Sequence, residues 1–140
     1  MPCEKQLVLH DSPTNEGHLN TMQSLSSATL RKNLPNLPLC HRLNAFAKAR
    51  SVELYLVGGS VRDLLLNRAI TDLDFALAGD AVSFAKAFAD QVGGVFVPLE
   101  EQPPTARFVL RQTRLVLDFV QFRAETLEAD LHRRDLTINA

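Results

Sequence analysis

Cysteine occurs only twice in the 140 residues, as Cys3 and Cys40. The pair is far apart and lacks C-x-x-C spacing, which argues against a zinc site and for a reducing compartment, the cytosol. An excess of charge is lacking too. Fifteen Lys and Arg against sixteen Asp and Glu leave a formal net charge of −1, so no global basic field draws nucleic acid and any such contact must come from a local patch. No apolar run approaches a membrane span, and the N-terminus has no signal-like apolar core. The four histidines, His10, His18, His41 and His132, have no ligand spacing and read as surface residues. A G-x-G-x-x-G fingerprint is absent, which excludes the dinucleotide-binding turn. With 46% hydrophobic and 22% charged residues, the chain can bury one modest core.

What is present concentrates in Leu54 to Leu77, LYLVGGSVRDLLLNRAITDLDFAL. The apolar run Leu54 to Val57 reads as a strand, and Gly58 and Gly59 remove side chains so that backbone N–H groups can turn toward an anion. Ser60 is expected to N-cap the next helix, with Asp63 completing an S-x-x-D capping box. That helix would bury Val61, Leu64 and Leu65 and leave Arg62 on another face, near the positive end of the dipole. The competing reading is a plain tight turn with a solvated arginine. In the second strand, period-2 alternation sends Leu73, Phe75 and Leu77 to one face and Asp72 and Asp74 to the other. Same-face neighbours lie about 7 Å apart at the backbone. Their carboxylates can therefore converge on one hard divalent cation, Mg²⁺ or Mn²⁺. Taken alone, D-x-D could equally be the polar face of an edge strand.

Elsewhere the chain reads as support. Residues 1–38 are rich in Ser, Thr, Asn and Pro with little periodicity, as expected of a mobile extension. A transit peptide is disfavoured by Glu4, Asp11 and Glu16. Leu39, Leu43, Phe46 and Ala47 form a helical stripe between Leu39 and Arg50. Asp80 can cap a helix whose apolar face is Ala81, Phe84, Ala85, Phe88, Ala89 and Val92, closed by Gly93 and Gly94. A short strand, Val95 to Val97, comes next, then a loop at Pro103 and Pro104. Strands Arg107 to Arg111 and Arg114 to Gln121 flank a hairpin at Gln112 and Thr113. Asp118 shares a face with Val116 and Val120 and needs a partner there: an ion, or Arg107 or Arg123. Leu127 and Leu131 suggest a helix leading into Arg133, Arg134 and Asp135. The sequence stops at Asn139 and Ala140 with no closing polar turn, and reads as cut.

G-G-S-V-R-D-L-L-L-N-R, then D-L-D-F, then R-R-D-L-T-I-N-A from Arg133 to Ala140 together resemble the head domain of the bacterial-type poly(A) polymerase and tRNA CCA-adding nucleotidyltransferase family (class II). The resemblance covers roughly Leu39 to Ala140. It implies a polymerase β-like nucleotidyltransferase fold of the α/β (α+β) class, a mixed sheet with helices packed on one face. It also implies that Gly58, Gly59, Ser60 and Arg62 meet the incoming triphosphate and that Asp72 and Asp74 hold the metals. Arg134 would meet the nucleotide, with Arg133, Asp135 and Asn139 shaping the ribose and phosphate side. In the superfamily a third carboxylate often joins the pair from a neighbouring strand, and Asp118 is the candidate. The family commonly has Phe where this chain has Leu136, a change between apolar residues.

The activity so implied is metal-assisted transfer from ATP or CTP: an RNA 3′-hydroxyl, most naturally that of tRNA, attacks the α-phosphate and pyrophosphate leaves. Two alternatives stand beside tRNA CCA addition: poly(A) addition to RNA, and a nucleotide-binding module without turnover. The base-reading residues and RNA-gripping helices of the family lie downstream of R-R-D. A nucleotidyltransferase acting on protein or small molecules also uses Gly-Ser then D-x-D, but the terminal motif argues against it.

Overall fold

The computed structural model describes residues 32–133. Of the extension expected over residues 1–38, positions 1–31, with Cys3, His10 and His18, lie outside the described residues, as do Arg134, Asp135, Leu136 and Asn139, while its last residues instead supply the Asn36 cap and the start of a helix. In chain order the elements are α1 (Leu37–Ala49), β1 (Leu54–Val57), α2 (Gly59–Leu65), β2 (Asp72–Leu77), α3 (Ala81–Val92), β3 (Val95–Glu101), β4 (Pro104–Leu110), β5 (Leu115–Gln121) and α4 (Leu127–His132). The strands make one five-stranded sheet in the order β1-β2-β5-β4-β3. Only β2 and β5 run parallel; the other neighbours are antiparallel. This is the mixed sheet of an α+β fold.

One face of that sheet carries the core. Strand alternation brings Leu56, Phe75, Phe119 and Ala106 into one transverse row and Leu73, Leu117 and Phe108 into the next, all buried. Two amphipathic helices cover them. The expected stripe Leu39, Leu43, Phe46 and Ala47 is the buried face of α1, and Ala81, Phe84, Ala85, Phe88 and Ala89 are that of α3. The helices meet through Phe46, whose ring sits edge-on to Phe84 and Phe88 with centroids 5.2 and 5.3 Å away. Phe84 continues onto Phe119, and Phe88 onto Phe108. Such offset contacts add to area burial. An apolar recess lined by Leu34, Cys40, Leu43, Leu54, Leu56 and Phe75 opens on this side, the side away from the aspartates. Burial pushes the Cys40 thiol up to about 11.

Asp80 caps α3 as expected: its carboxylate accepts the Ser83 amide at 3.0 Å and the Ser83 hydroxyl at 2.5 Å. Both bonds favour the ionised form, and the carboxyl is held below its ordinary range. The unfolded chain therefore protonates first as pH falls. The cap's contribution is complete above the ordinary carboxylate pKa and disappears as pH drops through the depressed one. Asp80→Ala should cost about 1 kcal/mol at neutral pH. Urea denaturation at pH 7 and again at low pH checks this, with the difference between the two proteins vanishing in acid.

Four expectations need correction. The N-cap of α2 is Gly58, at φ 70° and ψ −152° with no side-chain cap bond, rather than Ser60. Asp63 makes no capping box, because its carboxylate is paired with Arg62. Leu65, the last residue of α2, is exposed, not buried. The β3–β4 hairpin is also longer than its composition suggested. β3 reaches Glu101 and β4 starts at Pro104, so the expected loop shrinks to Gln102 and Pro103. β3 is an edge strand, where Pro and charge are tolerated and protect against further pairing, and its register shifts between Pro98 and Glu100.

Candidate active site

The sheet's other face carries the charged residues among apolar ones. Register places Val57, Asp74, Asp118, Arg107 and Val97 in one row across all five strands. Asp72 lies on the same face, opposite Val116. The carboxylates of β2 thus share a face, Asp72 exposed and Asp74 half-buried, as alternation requires.

β1 runs into the glycine turn at the end of this row. A positive φ at Gly58 is a conformation that favours glycine. Ser60 then turns inward, 3% exposed. Its hydroxyl donates to the Val57 carbonyl at 2.8 Å and accepts the Asp74 amide at 3.2 Å. A single buried side chain therefore fixes the turn to the backbone of Asp74. Arg62 folds back over Gly59, where a Cβ would meet its Nη2 at 3.2 Å. Its Nε donates to Asp63 at 3.1 Å, and this hydrogen bond and charge raise the Arg62 pKa and lower that of Asp63.

Asp118 stands directly beside Asp74. Of the partners open to it, the structure shows Arg107: Nε and Nη2 of the guanidinium donate to the two carboxylate oxygens, both at 2.8 Å. This side-on geometry is the strong form of the pair. It holds Arg107 firmly in its charged form, an effect to which Asp72 and Asp74 contribute at longer range. Sequence reasoning named Arg107 only as a possible partner. Arg107 and Asp118 each lie five residues from the turn pair Gln112 and Thr113, so hairpin symmetry alone would have placed them opposite each other.

At the far end of β5, Asp130 is fully buried and accepts the Arg123 amide at 2.7 Å. Arg133 donates from Nη1 to the Arg123 carbonyl at 2.5 Å. Both contacts tie α4 to the loop that follows the strand from which Asp118 projects. Neither role was read from sequence, because each depends on a loop closing.

Among the described residues no group of three or more His, Cys, Asp and Glu could enclose a metal. Two same-face carboxylates on an open surface do fit an ion of the Mg²⁺ kind, which keeps water and substrate phosphate among its ligands. No helix among the described residues is long and apolar enough to cross a membrane.

Comparison with known proteins points the same way. The chain is 37% identical to the CC-adding tRNA nucleotidyltransferase of Geobacter sulfurreducens over 74% of its own length and 24% of that protein's. It is 34% identical to the A-adding tRNA nucleotidyltransferase of Halalkalibacterium halodurans over 88% of its length and 31% of the relative's. Among solved structures, a CCA-adding enzyme in complex with ATP superposes with a TM-score of 0.72 at 33% identity, over 81% of this chain and 28% of that one. The chain thus spans between about a quarter and a third of the length of these relatives. Residues 54–140, which begin at β1 and take in the glycine turn, the D-x-D strand and the terminal R-R-D motif, match the model of the poly A polymerase head domain, and the chain belongs to that family.

Proposed function

We propose that this chain is the catalytic head of an RNA nucleotidyltransferase that transfers CMP or AMP from CTP or ATP to the 3′ end of tRNA, in the cytoplasm. The observation that carries the proposal is Ser60: through it the glycine turn is hydrogen-bonded to the amide of Asp74, so an anion held at the turn lies beside the paired carboxylates. The CC-adding and A-adding relatives supply the acceptor and the bases.

Asp72 and Asp74 are the residues that would hold Mg²⁺ or Mn²⁺, which when bound acidifies the attacking 3′-hydroxyl and neutralises charge on the departing pyrophosphate. The chain's own part is positioning and electrostatics, which dominate phosphoryl chemistry. Gly58 and Gly59 offer backbone amides to the triphosphate, with no Cβ at Gly59 to keep it away. Arg62 supplies positive charge at the same edge. Arg134, Asp135 and Asn139, outside the described residues, keep the nucleotide-side roles that the family motif implies.

Incubating the chain with tRNA lacking its 3′-terminal nucleotides, Mg²⁺ and labelled CTP or ATP tests this directly. Weak incorporation, confined to the tRNA 3′ end, is the expected result. Long A-tracts on any RNA would favour poly(A) synthesis. Binding of nucleotide with no incorporation would reduce the chain to a binding module.

A further inference from the structure

The polar row has a direction across the sheet. The glycine turn and Arg62 lie at its β1 flank, Asp74 is on β2, Asp118 on β5 and Arg107 on β4. In-line displacement puts the attacking and leaving oxygens on opposite sides of the phosphorus. With the leaving pyrophosphate on the β1 flank, the attacking hydroxyl must approach from the β5–β4 flank. Arg107 is the cation of the row on that flank, two inter-strand steps or about 10 Å from Asp74 at the backbone.

The guanidinium is built to take a second anion. Its bond to Asp118 uses Nε and one hydrogen of Nη2. Five N–H donors are available in a planar fork, and the remainder have no partner among the described residues. The Arg107 side chain is 42% exposed although its Asp118 partner is only 21% exposed. It is therefore immobilised at one edge and open at the other, which lowers the ordering cost of a new contact.

We infer that Arg107 binds a backbone phosphate of the acceptor RNA near its 3′ end, and that Asp118 is a positioning residue that clamps Arg107 for this contact. The inference rests on the nucleotidyl-transfer reading, which sets the flank from which RNA arrives. A triphosphate offers the same chemistry, but the β1 turn already faces it.

The test measures fluorescence anisotropy of a labelled tRNA lacking its terminal nucleotides across a KCl series, and ATP binding with Mg²⁺ by equilibrium dialysis. Arg107→Gln combined with Asp118→Asn keeps a neutral hydrogen-bonding pair, and thermal unfolding confirms its fold. That variant should bind the RNA roughly ten-fold more weakly, with the slope of log K against log salt reduced by about 0.7 to 0.9, and should bind ATP as the parent does. Asp118→Asn alone separates clamping from charge. It removes a negative charge, so long-range electrostatics predicts tighter RNA binding, whereas loss of the clamp predicts weaker binding.

Unchanged RNA affinity and slope in the double variant, or absence of RNA binding by the parent chain, overturns the inference. A loss confined to ATP also overturns it and moves the contact to the triphosphate. Tighter RNA binding by Asp118→Asn removes the positioning role. Failure of the underlying reading appears elsewhere, as Asp74→Asn leaving incorporation and ATP-dependent Mn²⁺ binding intact.

Discussion

Asp74→Asn should lower nucleotide incorporation by about 10³-fold, because it removes one of the two carboxylates proposed to hold the metal where the transition state gathers charge. The same substitution should leave the protein folded. Asn is isosteric with Asp, the Asp74 amide bond to Ser60 is made by the backbone, and one of the like charges on β2 is relieved. Two measurements check it: labelled CMP or AMP incorporated into tRNA, and Mn²⁺ bound in the presence of ATP by electron paramagnetic resonance. Asp72→Asn should behave in the same way. Retained incorporation in either variant would remove the assignment of these carboxylates.

A large effect on stability is expected from a residue with no side chain. A Cβ built on Gly94 would lie 1.8 Å from Cε2 of Phe108 and 2.5 Å from its Cζ. Phe108 is fully buried beneath Phe88, so the ring has little room to withdraw. Gly94→Ala should destabilise by about 3 kcal/mol or more, at the upper end for overpacking. Phe108→Ala alone should cost about 3–5 kcal/mol through the cavity it opens. The double substitution should cost clearly less than the two together, since the added methyl enters space the ring has left. Strict additivity in urea denaturation would show that the two positions do not share the space.

Local regularity explains what could be read in advance. The stripe of α1, the apolar face of α3 and the parity of Asp72 and Asp74 are set by helical or strand periodicity within a few residues, and each stands in the structure as the sequence suggests. Ser60 was misread for the opposite reason. Its hydroxyl chooses between a local amide and the amide of Asp74, and that choice depends on β1 lying antiparallel beside β2, a tertiary fact. Asp63 likewise had two suitors, a helix amide and the Arg62 guanidinium, and ended with the second. The true length of β3 was hidden by Pro98, Glu100 and Glu101, residues typical of loops and equally at home on a sheet edge. Asp118 was the intermediate case: its need for a partner was legible, the identity of that partner was left open, and hairpin symmetry would have supplied it.

The one parallel pairing in the sheet governs when the site can exist. β2 does not pair with the strand that follows it; it waits for β5, and only then does Asp118 come beside Asp74. Long-range pairing of this kind forms late, after the entropy of the intervening loop has been overcome. A nascent chain emerging from the ribosome would hold both aspartates of β2 long before it has the neighbour that completes their row. Until Gln121 clears the exit tunnel, the polar surface is unfinished and β2 offers an unpaired edge to whatever waits outside.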